Sequence, residues 1–235
     1  TGWWNLYEQA AAGEKPTACL PRTAEFGLPL WQLGMRSWCF IDDHRLACLW
    51  FEEGKQRLGV FDRRSGELAA LATPFDHFDG LCSDGTRLFT VAGASNAFPT
   101  LVALALDGSA ETLREGSALA LPEGVLAQPE TLTFATEDGE TAHGYFYAPK
   151  NASVTAPDVP PPLLVISHGG PTASTSPALN LKVQFWTSRG FAVLDVNYRG
   201  STGYGRAYRD ALRGAWGARD VSDCVDGAKA LILAG

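Results

Sequence analysis

LLVISHGGPTAS, residues 163–174, decides how this chain is read. Leu163 to Ser167 is a short, almost wholly apolar run, closed by His168, Gly169, Gly170 and Pro171, which is the pattern of a strand buried in a sheet. Glycine holds a strand together poorly, so a pair at its end serves another purpose. In open α/β sheets, ligands collect at the carboxyl ends of the strands. Gly169 and Gly170 can take backbone angles closed to other residues and let a substrate approach the main chain. Their N–H groups, outside any ladder, become available donors. Acyl transfer needs such donors fixed where oxygen gains negative charge, and losing one costs about 2.7–4 kcal/mol of transition-state stabilisation.

Downstream, strands and helices alternate. Ser176-Pro177 predicts a helix start, with Leu179, Val183 and Trp186 on one face and Gly190 at the end. Phe191 to Val196 predicts the next strand. Asp220 is expected to cap a final helix in which Val221, Cys224, Val225, Ala228, Leu231 and Ile232 keep helical spacing, with Gly235 at its C-cap. Strand–helix–strand–helix of this length means parallel strands with crossover helices. The next strand is due just past Gly235. Phe191–Val196 or Leu163–Ser167 is then expected to expose an unpaired edge.

Upstream, Glu130 to Thr136 and Thr141 to Ala148 flank Glu137-Asp138-Gly139-Glu140, and Asp-Gly between alternating runs signals a hairpin. Pro149 to Pro162 predicts an exposed loop that cannot continue a ladder. Before about Glu123 the pattern is different. Arg45–Glu52, Arg57–Asp62 and Glu67–Leu71 read as strands, and the same pattern returns about 42 residues later in Arg87–Ala92, Thr100–Leu106 and Glu111–Leu113. A period of about 40–45 residues with several strands per repeat predicts β-propeller blades, the alternative being a plain antiparallel sandwich. Residues 1–121 hold about three such units, fewer than the roughly 4–8 a closed ring requires. Thr1 to Tyr7 enters straight into an aromatic strand-like run, as in a piece of a longer chain.

Composition narrows the function. The 235 residues are 46% hydrophobic and 19% charged, with net charge −7. The 19 basic residues are scattered, which speaks against nucleic acid as a partner. No stretch nears the ~18 apolar residues of a membrane span. Five cysteines (Cys19, Cys39, Cys48, Cys82, Cys224) form no CxxC pair, so buried free thiols are expected and no metal site. Asp76 and Asp79 flanking His77 read as a solvated inter-blade loop in preference to a cation site. Gly203-Tyr204-Gly205 offers a dinucleotide reading, but Tyr208 stands where the third glycine belongs, and Asp223 falls within a helix. No cofactor is expected. Asn151-Ala152-Ser153 matches a glycosylation acceptor, which matters only for a secreted protein. Trp216, Asp220 and Asp223 read as packing and capping residues.

His168-Gly169-Gly170-Pro171, after a hairpin and a buried strand, matches the oxyanion loop that HGGG-type esterases use. Together with Gly2-Trp3-Trp4-Asn5-Leu6-Tyr7, Glu25-Phe26-Gly27-Leu28-Pro29-Leu30-Trp31, Asn197-Tyr198-Arg199-Gly200-Ser201-Thr202-Gly203-Tyr204-Gly205 and Gly214-Ala215-Trp216-Gly217, it makes the chain resemble the prolyl oligopeptidase family of serine peptidases. The resemblance is to the acylaminoacyl-peptidase and dipeptidyl-peptidase-like branch and covers essentially all 235 residues. It implies C-terminal β-propeller blades over residues 1–121 and the N-terminal part of an α/β-hydrolase domain over residues 122–235, both incomplete. It implies cleavage of short peptides by a Ser-His-Asp triad and leaves homo-oligomerisation of the full-length protein open, while the lack of an apolar span argues against a membrane partner. Gly169, with Gly170 and His168 beside it, is the implied oxyanion loop; His168 either touches the oxyanion or braces the loop.

The triad is expected beyond Gly235. No Gly-x-Ser-x-Gly elbow occurs in the 235 residues. Ser201 has the wrong glycine spacing, and His44, His77 and His143 come too early in chain order to be the base. The isolated chain is therefore expected to be inactive and its full-length parent to be cytoplasmic. An HGG-type carboxylesterase and a non-catalytic propeller adaptor remain the alternatives, sharing the second half and the first half respectively.

Overall fold

Strand formation follows the alternating runs closely. The structure, a computed structural model, describes residues 1–235 except 30, 32, 53, 123, 156–158 and 171, so that Leu30, Glu123 and Pro171, and part of the Pro149–Pro162 stretch, lie outside the described residues. The chain divides into two compact units: Thr1–Ala94 with Phe98–Ser117 and Gly203–Ala207, and Ser95–Ala97 with Ala118–Thr202 and Tyr208–Gly235.

In the first unit, β1 (Tyr7–Glu8) and β2 (Thr17–Ala18) form a two-stranded ribbon. Two four-stranded sheets follow, each in chain order. One holds β3 (Trp38–Phe40), β4 (Arg45–Glu52), β5 (Lys55–Asp62) and β6 (Glu67–Ala70). The other holds β7 (His77–Ser83), β8 (Arg87–Ala94), β9 (Ala97–Ala105) and β10 (Ala110–Arg114). The repeat has a side-chain cause. Asp42 Oδ1 accepts the N–H groups of His44 and Arg45 (2.9 and 2.8 Å), and Asp84 Oδ1 those of Thr86 and Arg87 (2.9 and 2.8 Å). The same Asx turn therefore launches β4 and β8. Leu49 and Leu58 from one sheet share a core with Leu88, Val102 and Leu104 from the other. Gly59 sits mid-strand because a Cβ there would lie 2.4 Å from the Ala69 carbonyl oxygen and 2.9 Å from the Trp50 ring.

Three expectations change here. Residues 1–121 hold two four-stranded sheets and the small ribbon in place of about three repeat units. The aromatic run Thr1–Tyr7 is not a strand before Tyr7; Trp4 instead packs over Gly27, where a Cβ would meet its side chain at 3.0 Å. His77 and Asp79 lie in strand β7, not in a loop. A register shift between Asp79 and Cys82, at Gly80 (φ +68°), breaks the alternation that would have revealed the strand.

The second unit is built on a mixed sheet in the order β11 (Glu130–Ala135), β12 (Thr141–Tyr147), β14 (Ala192–Asn197), β13 (Leu163–Ser167). The hairpin β11–β12 is antiparallel, β12–β14 is antiparallel, and β13–β14 is parallel. Every residue of β14 is buried. Its Leu194 and Val196 pack with Cys224 and Leu231 of α3 (Arg219–Ala234), and its Val193 packs with Val183 of α1 (Leu181–Thr187). A further short helix, α2, spans Gly205–Asp210. Of the two strands expected to expose an edge, β13 ends the sheet and β14 does not.

The helix starts are corrected. Asn180, not Ser176-Pro177, caps α1, its Oδ1 accepting the Lys182 N–H at 3.0 Å. Gln184 then ties the helix to Ala127 through both of that residue's backbone groups (2.8 and 3.0 Å). Ala218 precedes α3 without a side-chain cap, and Asp220 falls inside the first turn. The free thiols are not all buried: Cys48 is buried, Cys82 is exposed, and the other three lie between.

Candidate functional site

The parallel strand β13 delivers His168, Gly169 and Gly170 to the end of the sheet, and the following loop is tied back to β14 at several points. The Thr175 N–H donates to Asn197 Oδ1 at 2.8 Å, the Thr175 hydroxyl donates to Asp195 Oδ2, and the Thr202 N–H donates to the Ala173 carbonyl at 2.9 Å. Asp195 takes this hydroxyl from within the sheet, and burial pushes its carboxyl up to about 6.

Gly169 and Gly170 are exposed, and nothing lies within 4 Å of where a Cβ would stand on either. Gly170 has φ +76°, in the left-handed region. Among the described residues, neither glycine N–H has a hydrogen-bond acceptor. His168 is half-buried; its ring stacks on Tyr198 (4.4 Å between centroids, 24°) and its Nε2 lies 2.7 Å from Ser201 Oγ. Because Ser201 Oγ donates its own proton to the Tyr198 carbonyl at 2.7 Å, Nε2 must carry the hydrogen of that contact. Burial holds the imidazole below the usual histidine range, so it is the neutral ring that fits.

This disposes of Ser201 as a nucleophile. Its hydroxyl is fully buried, its proton is committed to a carbonyl, and its lone pair accepts from His168. His143 lies in the hairpin beside Thr133 Oγ1 at 3.0 Å, while His44 and His77 belong to the other unit. No described serine, histidine and carboxylate come together as a triad in the second unit. Gly203–Ala207 cluster with the first unit, where the Gly203 N–H donates to the Glu25 carboxylate at 2.9 Å. A donor already on a carboxylate cannot serve a pyrophosphate, which removes the dinucleotide reading.

A cleft of about 590 Å³ opens beside the loop, lined by His168, Gly169, Gly170, Tyr198, Asp220 and Cys224 among others. Two larger clefts, of about 1020 and 1250 Å³, include none of His168–Gly170. Asp220 Oδ1 is buried, with no hydrogen-bond partner among the described residues, and Asp220 lines the cleft. Burial, then the nearby Asp220 and Cys224, push the Tyr198 phenol up to about 12. Among the described residues, no three His, Cys, Asp or Glu side chains are placed to hold a metal ion, and no helix is long and apolar enough to cross a membrane.

Sequence reasoning missed the ion pair behind this loop. Asp223, fully buried, accepts the Arg199 backbone N–H at 2.7 Å, Nε at 3.0 Å and Nη2 at 2.6 Å. Arg199 Nη1 also donates to Asp138 Oδ2 at 2.6 Å. The Thr136 hydroxyl and then this guanidinium hold the Asp138 carboxyl down at about 2. Asp223 is thus an ion-pair partner, not a helix cap, and Trp216 is more than half exposed instead of packed. An arginine two residues past β14, with an aspartate in α3, was the available signal.

The profile described as "Prolyl oligopeptidase family" matches residues 177–235. The solved structure of a puromycin-hydrolyzing peptidase from Mycobacterium tuberculosis superposes on the whole of this chain with a TM-score of 0.94, is 40% identical to it, and is itself covered to 37%. The chain is similar to the prolyl oligopeptidase family. A second solved structure, of puromycin hydrolase, gives a TM-score of 0.93 at 39% identity, again over all of this chain and 36% of the other. Among curated relatives, dipeptidyl aminopeptidase BIII of Pseudoxanthomonas mexicana is 35% identical over 141 residues, which are 58% of this chain and 20% of that protein. The chain therefore spans about a third of the length of its solved family neighbours, and its β-sheet-rich first part matches their propeller region.

Proposed function

We propose that this chain is part of a serine peptidase that hydrolyses short peptides through an acyl-enzyme intermediate. In this reading residues 1–121 are propeller blades and residues 122–235 open an α/β-hydrolase domain. The serine, acid and histidine of the triad come from outside the 235 residues, and the 235-residue chain alone hydrolyses nothing.

One observation carries the reading: the N–H groups of two exposed residues, Gly169 and Gly170, which have no acceptor among the described residues, stand at the carboxyl end of a parallel strand, beside a cleft. As a scissile carbonyl becomes tetrahedral, its oxygen acquires charge that such donors stabilise without reorganising. His168 braces the loop, since its Nε2 is already committed to Ser201. The relatives named above are peptidases, and one puromycin hydrolase structure is of a mutant complexed with PGG, which favours peptides over simple esters.

The test compares aminoacyl and acyl-peptide anilides with simple esters, using the longest polypeptide that carries this chain. Anilide hydrolysis is expected, with oligopeptides cleaved in preference to folded proteins. Ester hydrolysis alone would make the protein a carboxylesterase, and no hydrolysis of either would make it an adaptor.

A further inference from the structure

The glycines of the loop have no side chains, and nothing lies within 4 Å of where a Cβ would stand on either, yet an oxyanion site works only if its donors are fixed in direction. We infer that Tyr198 is the positioning residue that aims them, an inference that rests on the peptidase reading above. Its hydroxyl donates to the Gly170 carbonyl at 2.6 Å and makes a longer contact of 3.3 Å with the His168 carbonyl. The Gly169 carbonyl lies 3.4 Å from His168 Nδ1, and that nitrogen lies 3.3 Å from the same hydroxyl. The carbonyls of His168 and Gly170, on either side of Gly169, are thus both drawn to one phenol.

Across a trans peptide bond the C=O and the next N–H point in opposite directions. Drawing the His168 carbonyl toward Tyr198 therefore turns the Gly169 N–H away from it, and the bond from Tyr198 to the Gly170 carbonyl fixes the far end of the two-glycine segment. The Gly169 donor is aimed because the acceptors on either side of it are anchored.

The anchor is itself fixed. Tyr198 is 3% exposed and packs with Phe134, Leu194, Val196 and Leu212. Its carbonyl accepts the Ser201 N–H at 3.0 Å and the Ser201 hydroxyl at 2.7 Å. Ser201 in turn accepts from His168 at 2.7 Å, which closes a ring of contacts from His168 through Ser201 and Tyr198 to Gly170. The buried Arg199–Asp223 pair pins the next residue along. Tyr198 touches no substrate in this account; it acts through the loop.

The experiment is Tyr198→Phe in the longest polypeptide carrying this chain, which keeps the ring and its stacking and removes only the hydroxyl. A kcat loss of roughly 10–100-fold on a peptide anilide is expected, below the ~100–1000-fold of deleting a donor outright, with KM changed less than about twofold. The inhibition constant of a peptide aldehyde, whose adduct carries an oxyanion, rises by the same factor, while binding of the product acid does not change. A variant with unchanged kcat and aldehyde affinity beside an active parent overturns the role of Tyr198 and leaves the peptidase reading standing. A parent that hydrolyses no peptide overturns both. Should Tyr198→Phe fail to fold, Ser201→Ala opens the same ring at the imidazole: a kcat loss of roughly tenfold at constant KM supports the inference, and parental kinetics refute it.

Discussion

Removing the carboxylate of Asp223 leaves a guanidinium in the interior of the second unit with most of its donors unmet. Arg199 is 3% exposed and Asp223 is fully buried, so water cannot replace the lost acceptor. Asp223 takes three donors from Arg199, two of them from the guanidinium and one from the backbone, while Asp138 meets only Nη1. Breaking a buried pair on one side costs about 3–5 kcal/mol, because the surviving charge stays desolvated. For a chain of this size that corresponds to a midpoint lowered by roughly 6–20 °C. Urea and thermal unfolding of Asp223→Ala, followed by circular dichroism, measure the loss. Arg22→Ala is the control: Arg22 meets Glu52 at 3.7 Å with both side chains partly exposed, and should cost less than about 1 kcal/mol. An Asp223→Ala variant within about 1 kcal/mol of the parent would refute the claim that this pair holds the strand-to-turn junction at Tyr198–Arg199.

Three further outcomes follow from burial and spacing. Burial raises Asp195 to about 6, so the unfolded chain gives up this proton first, and the stability tied to Asp195 falls as pH rises from about 3.8 through about 6. Asp195→Asn should remove that slope and gain up to about 3 kcal/mol at pH 7; denaturation curves between pH 4 and pH 7 with the slope intact would contradict it. Gly144→Ala should destabilise more than Gly227→Ala, since the new Cβ meets the Asp195 carbonyl oxygen of the sheet at 2.7 Å in the first case and the ends of Leu194 and Phe134 at 2.8 and 2.9 Å in the second. The Gly227 variant should lose about 1–3 kcal/mol, and equal unfolding midpoints for the two would sink the ranking. In a native thiol titration with a disulfide reagent, exposed Cys82 should react early and buried Cys48, its thiol pushed up to about 12, only on unfolding; simultaneous labelling would show that the β4 face is open.

Much of this organisation was legible in the residues. The alternation in Arg45–Glu52 and the apolar run Leu163–Ser167 gave strands whose bounds coincide with β4 and β13, although β13, expected to be buried, is an edge strand whose residues are half-buried or exposed. What escaped has particular causes. Strand β7 hides behind a bulge at Gly80 that interrupts its period. The short β3 has three residues, too few for alternation to show. The start of α1 was misplaced because Ser176-Pro177 and Asn180 are both competent caps, and the tie from Gln184 to Ala127, 57 residues away, favours the later one. At the candidate site, His168, Gly169 and Gly170 stood out locally. Tyr198, Arg199 and Asp223 did not, since their partners lie 24 to 30 residues distant and pairing of that kind leaves no period in the sequence.

The central claim is that the main-chain hydrogen of Gly169 stabilises charge on the reacting carbonyl oxygen. Gly169→Pro deletes that hydrogen and no side chain, and kcat and KM for a peptide anilide should be measured for it in the longest polypeptide carrying the chain, alongside its unfolding curve. A loss in kcat of roughly 100–1000-fold, at near-constant KM and in a variant that still melts cooperatively, is the predicted result. A folded variant that turns over peptide at the parent's rate would contradict the account.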